Sequence, residues 1–180
     1  MRTLKILIAG LTTAFMISVA TAQPTINEKS AAVQKIFTSQ IGVREATGHN
    51  DGPAVEGYLK AVNLGKGYAW CAAFVKWSYL KAGVADAAQI NAMAASVHRP
   101  GHIIYQFGNF LQEPLAGDAF TLYYPGLKRI GHTGFYDKRL NSTIYATVEG
   151  NTNSAGSREG DGVYRKYRSF KSTHSINRWF

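Results

Sequence analysis

The stretch Gly67-Tyr68-Ala69-Trp70-Cys71-Ala72-Ala73-Phe74-Val75-Lys76-Trp77 decides how the chain is read. From Cys71 to position 81, the side chains of Phe74, Val75, Trp77 and Leu80 are too apolar overall for a solvated helix, and Gly83 stands where a left-handed cap would close it. The pattern predicts a buried helix with Cys71 in its first turn. A thiol there feels the positive end of the helix dipole, which lowers its pKa and raises the population of the nucleophilic thiolate. Cys71 is also the only cysteine in the 180 residues, so the chain offers it no disulfide partner.

The first 22 residues bear on the meaning of that lone thiol. Arg2 and Lys5 precede an apolar run over 6–20 and then Ala20-Thr21-Ala22, the pattern of a signal peptide cleaved near Ala22. The run is shorter than the roughly 20 residues that cross a bilayer, and no second apolar segment of that length follows, so no stable membrane span is expected. The protein is expected to be exported, periplasmic or secreted, with 23–180 forming one catalytic domain. Cysteines of exported domains usually come in pairs, and one left over is either bonded to another molecule or kept as a reactive thiol. The charge balance is +9, with 20 Lys and Arg against 11 Asp and Glu, which points to anionic envelope polymers as partners. The densest basic group, Arg165, Lys166, Arg168 and Lys171, has no interleaved aromatic nucleic-acid motif, so no nucleic acid is expected.

Around the central helix, apolar spacing predicts a helix over 27–40 capped by Asn27 and a short one opening at Pro53 and stopping at Gly65. Residues 47–52 must be a loop, and 91–110 an irregular crossover. Beyond Pro114 the pattern becomes short β-rich runs at 119–124, 133–137, 143–148, 163–170 and 175–180, separated by turn residues that include a polar Gly-rich loop over 154–162. Helices first and consecutive strands afterwards predict an α+β fold, N-terminal helices packed on an antiparallel sheet.

A catalytic thiol needs a histidine to exchange its proton and a third group to hold the imidazole. His132 stands at the start of a predicted strand between Gly131 and Gly134, and the next strand ends in Glu149. If the two pair as a hairpin, one register sets 132 against 149 and 136 against 145. Asn151 would project from the same face as Glu149 if the chain stays extended.

Taken in order, Trp70-Cys71-Ala72-Ala73-Phe74-Val75, Ala116-Gly117-Asp118-Ala119, Gly131-His132-Thr133-Gly134 and Val148-Glu149-Gly150-Asn151-Thr152 resemble the motifs of the CHAP (cysteine, histidine-dependent amidohydrolase/peptidase) family. The resemblance runs from about Gly42 to the last strand. It implies a papain-like fold and cleavage of amide bonds in peptidoglycan, by an N-acetylmuramoyl-L-alanine amidase or by an endopeptidase of the stem or cross-bridge. By motif, Cys71 is the nucleophile, His132 the base, Glu149 its orienting partner and Asn151 an assisting residue. A transient oxyanion would be met by the Cys71 N–H and a second donor, Asn151 or Tyr68. Some family members carry an acidic calcium loop ahead of the cysteine, but only Asp51 and Glu56 stand there, so neither metal nor cofactor is expected. A metal hydrolase built on His49, His98 and His102 is disfavoured because Arg99-Pro100-Gly101 interrupts the helix that would align the last two. A non-catalytic envelope-binding module, or an antibacterial toxin with the same chemistry, remains an alternative role.

Overall fold

The computed structural model describes residues 23–154 and 160–180. The expected signal peptide and the middle of the loop expected over 154–162 lie outside those residues. The described residues form helices α1 (Ile26–Thr38), α2 (Pro53–Lys60) and α3 (Cys71–Lys81), followed by β1 (Ile103–Gln106), β2 (Asn109–Phe110), β3 (Ala119–Tyr124), β4 (Arg129–Arg139), β5 (Ile144–Thr152), β6 (Gly162–Ser169) and β7 (Ser175–Asn177). The strands make one antiparallel sheet in the order β2-β1-β7-β3-β4-β5-β6. The fold is α+β, and no helix among the described residues is long and apolar enough to cross a membrane.

Helix α1 is capped two residues before the expected cap, by Thr25. Thr25 and Glu28 form a capping box in which each side chain accepts from the other's backbone N–H, at 3.3 and 2.7 Å, and Asn27 is already helical. Helix α2 stops at Lys60, with Pro53 as its first residue and Gly52 before it. Helix α3 has the expected bounds, and Gly83 beyond it is left-handed with φ +82°. It is buried on most of its surface, as its composition requires.

Strand alternation splits the sheet's side chains between two cores. Phe135 and Val148 face the helices, where Phe37 stacks on Phe135 with ring centroids 4.7 Å apart and Phe74 meets it edge-on at 5.8 Å. Phe74 is fully buried, so Phe74→Ala would cost about 3–5 kcal/mol. Phe120, Tyr136, Tyr145 and Ile176 form the second core on the other face.

Three further expectations change. The crossover over 91–110 contains the β1–β2 hairpin, which closes on β7. The last strand ends at Asn177 instead of 180. The β4–β5 register pairs Phe135 with Val148 and Tyr136 with Thr147, two residues away from the expected alignment, and a bulge between Tyr136 and Lys138 shifts it again. A slip of two keeps every side chain on its face, so the site survives the error.

Candidate active site

Cys71 is the first residue of α3, and the start of this helix is held by other elements, because Trp70 carries no capping side chain of its own. Asn151 supplies the cap: its Oδ1 accepts the Trp70 N–H at 3.0 Å. Packing fixes the same point, since a Cβ at Gly150 would lie 2.6 Å from the Trp70 ring and 2.8 Å from that of Phe74. Only glycine lets α3 sit directly on the β5 backbone there. Glu45 completes the anchor by accepting from the Trp70 indole N–H at 2.9 Å.

The thiol of Cys71 is buried and shares a cavity wall with the imidazole of His132, which interacts with it. Burial opposes its ionisation, but the His132 bond, the imidazolium charge and the backbone N–H groups of Thr133 and Ala72 outweigh it, so the pKa is lowered. His132 Nε2 lies 2.8 Å from Glu149 Oε2, which leaves Nδ1 for the thiol. Burial pulls the imidazole pKa down, while hydrogen bonds to Cys71 and Glu149 and the charges of both raise it to about 9. These opposite shifts favour the thiolate–imidazolium form of the pair.

Glu149 is fully buried and still ionised. Burial pushes its pKa up, and Arg168 with His132 brings it down to about 2. Arg168 Nε donates to Oε1 at 2.7 Å, Arg168 Nη2 donates to Oε2, and the Thr147 hydroxyl donates to Oε1 at 2.6 Å. The carboxylate is thus gripped as a bidentate pair, the strongest charge-assisted geometry available to it. Gly134 makes room: a Cβ there would stand 2.9 Å from Glu149 Cγ and 3.0 Å from the Phe120 ring. The Glu149 side chain crosses over that bare backbone to reach His132.

Asn151 differs from the extended residue expected. It sits in a left-handed conformation, φ +54°, at a bulge between Glu149 and Thr152. Its amide is used at both ends, because Nδ2 donates to Asn50 Oδ1 at 3.0 Å. Tyr68 is 57% exposed and does not line the cavity that holds Cys71 and His132. That cavity, about 200 Å³, is walled by Cys71, His132, Asn151, Asn50, Tyr124 and Met93 among others.

Asn50 and Arg168 are the residues that the sequence reading missed. The orientation of Asn50 follows from a chain of donors. The Trp70 N–H can only donate, so Asn151 presents its oxygen to it and its NH₂ to Asn50; Asn50 must accept through Oδ1. Its own NH₂ has no hydrogen-bond partner among the described residues, and Asn50 walls the cavity. The available signal was an Asn in a Gly-rich loop, a residue that tolerates the left-handed φ of +56° found there. Arg168 gave no local signal, since its partner lies on the neighbouring strand.

The other sequence motif has a structural use. Asp118 is buried against Arg178, whose Nε and Nη2 reach its two oxygens at 2.9 and 2.8 Å, tying the start of β3 to the end of the chain. His98 and His102 go separate ways, to the Ser175 hydroxyl at 2.9 Å and the Arg178 carbonyl at 2.8 Å. No group of three or more His, Cys, Asp and Glu among the described residues is arranged to hold a metal ion.

No family model matches the chain, and no curated protein matches it. Among solved structures, a mutated form of the resuscitation promoting factor interacting protein RipA is similar at 16% identity and a TM-score of 0.48, over 90% of this chain and 68% of that one. So distant a likeness assigns no residue and no reaction, and the functional reading rests on the site's own geometry.

Proposed function

We propose that the protein is an exported thiol-dependent hydrolase that cleaves an amide bond of peptidoglycan, with Cys71 as nucleophile, His132 as acid and base, and Glu149 as the group that orients and charges the imidazole. The observation that carries this reading is the buried imidazole that bonds an ionised carboxylate and shares a cavity with a thiol at a helix start. The motif order and the excess of positive charge over the whole chain favour an anionic wall polymer as substrate.

In this mechanism the Cys71 thiolate adds to the amide carbonyl carbon, and the C=O electron pair moves to oxygen. The His132 imidazolium gives its Nδ1 proton to the departing amine, the C–N bond breaks, and a thioester remains on Cys71. The neutral imidazole then takes a proton from water, hydroxide adds to the thioester, and the acid product leaves as the thiolate is restored. Two donors face the developing oxyanion. One is the Cys71 N–H, at a helix position where an N–H has no intrahelical partner, and the other is the unused NH₂ of Asn50. Asn151 is a positioning residue in this scheme: it caps α3 and turns Asn50 toward the cavity.

The wild-type protein should release soluble fragments with new amino groups from purified peptidoglycan. Cys71→Ala and His132→Ala should release none while keeping the wild-type far-UV spectrum, and undiminished release by either would sink the mechanism. Mass spectrometry of the products separates the muramoyl–alanine bond from a bond within or between stems.

A further inference from the structure

The β1–β2 hairpin turns on Phe107 and Gly108, both with positive φ, +48° and +89°. A two-residue turn of that hand favours Asn, Asp or Gly at its first position, and phenylalanine there is strained. Its ring gains little in return, since Phe107 is 75% exposed. A residue that is both strained and apolar in water marks a site where stability has been given up for a ligand.

The surroundings identify the kind of ligand. The Phe107 ring meets His174 edge-on, centroids 4.9 Å apart and planes at 88°, and Tyr123, 45% exposed, lies 5.9 Å from His174 at 30°. With Lys171, Ser172 and Thr173 these rings line a cavity of about 310 Å³. That is the low end of the ligand-pocket range of about 300–1,000 Å³, room for one ring and too small for a helix. The lining offers aromatic faces, the Tyr123 hydroxyl and the Lys171 ammonium, and it holds no carboxylate, while the Ser172 and Thr173 hydroxyls both donate to the Ser169 carbonyl. Aromatic faces suit the apolar C–H face of a pyranose, and the Tyr123 hydroxyl and Lys171 ammonium suit its OH and acetamido groups.

Two segments run from the walls of the thiol site to this cavity. Met93 and Ala94 wall the thiol cavity, and after the 3₁₀ turn Ala94–Val97 the same segment brings His98 against His174, centroids 5.0 Å apart. Strand β3 sends Tyr124 to one cavity and Tyr123 to the other. We infer that the Phe107–Tyr123–His174 cavity is a glycan subsite that binds an N-acetylated amino-sugar ring of the polymer whose amide is presented to Cys71. The choice of polymer rests on the function proposed above; the sugar-binding chemistry does not.

The test uses the full exported chain as Cys71→Ala, which binds without turnover, titrated with the tetramer of N-acetylglucosamine by calorimetry. Saturable binding is expected, weakened at least tenfold by Phe107→Ala and by Phe107→Asn. The asparagine variant fits the turn, so its thermal midpoint should equal or exceed that of its parent, which separates lost binding from lost fold. Absence of saturable binding, or unchanged affinity in a folded Phe107→Asn chain, overturns the subsite, as does a dimer in sedimentation that Phe107→Asn dissolves. If the tetramer binds and Phe107→Asn abolishes it while wild type never cuts peptidoglycan, the subsite stands and the hydrolase reading falls.

Discussion

Asn50→Asp separates the chemistry of the site from its architecture. Aspartate retains an oxygen to accept the Asn151 Nδ2 at 3.0 Å, and the backbone N–H at position 50 still donates to Glu45 Oε2 at 2.9 Å. It also tolerates the φ of +56°, where alanine would be strained. The anchor of α3 through Asn151 and Trp70 therefore persists. What disappears is the NH₂ turned toward the cavity, and a carboxylate oxygen takes its place opposite the developing oxyanion. Loss of one such donor costs about 10²–10³ in kcat, about 2.7–4 kcal/mol of transition-state stabilisation, and the added charge deepens the loss. The assay is steady-state cleavage of a soluble muropeptide, with the plateau rate of Cys71 alkylation at high pH as control, because alkylation builds no oxyanion. A fall in kcat of at least a hundredfold with an unchanged alkylation plateau is expected. A kcat within tenfold of wild type would refute the assignment, and a parallel fall in alkylation would place Asn50 among the residues that merely hold the thiol.

Three more outcomes follow from the same contacts. Arg168→Gln leaves Glu149 buried with its bidentate partner gone, and breaking such a pair costs about 3–5 kcal/mol, read as a lower denaturant midpoint; an unchanged midpoint would remove the clamp from the account. Gly134→Ala forces a methyl to within 2.9 Å of Glu149 Cγ, costing about 1–3 kcal/mol and lowering kcat by pushing the carboxylate off His132, so full activity in the Gly134→Ala chain would contradict the packing. The imidazolium that protonates the leaving amine persists up to about pH 9, so kcat/KM should fall above that value and, on the acid side, fall as the thiolate gains a proton. A profile that keeps rising through pH 10 would mean that His132 acts only as a neutral base.

The sequence made the helical core and the order of the reactive residues legible, and the reasons are local. Helix α3 is apolar on nearly every side between a thiol and a glycine cap, so its bounds can be read without tertiary information. The β1–β2 hairpin is hidden because Phe107-Gly108 replaces the usual turn dipeptide. The nearness of His132 and Glu149 is readable despite a register wrong by two, because alternation preserves the face and the bare backbone at Gly134 leaves space between them. Asn151 escapes an extended reading because its left-handed turn aims it at α3. Arg168 reaches its carboxylate from β6, and Asn50 reaches the cavity through a contact spanning 101 residues, so no window of sequence contains either pairing.

The central claim is that His132 keeps Cys71 ionised, and the pH dependence of Cys71 alkylation by iodoacetamide tests it most directly, compared between wild type and His132→Ala. The expected result is a wild-type midpoint below the ordinary thiol value of 9.0 and a higher midpoint once the imidazole is removed. Midpoints that coincide near the ordinary value in both proteins would contradict it.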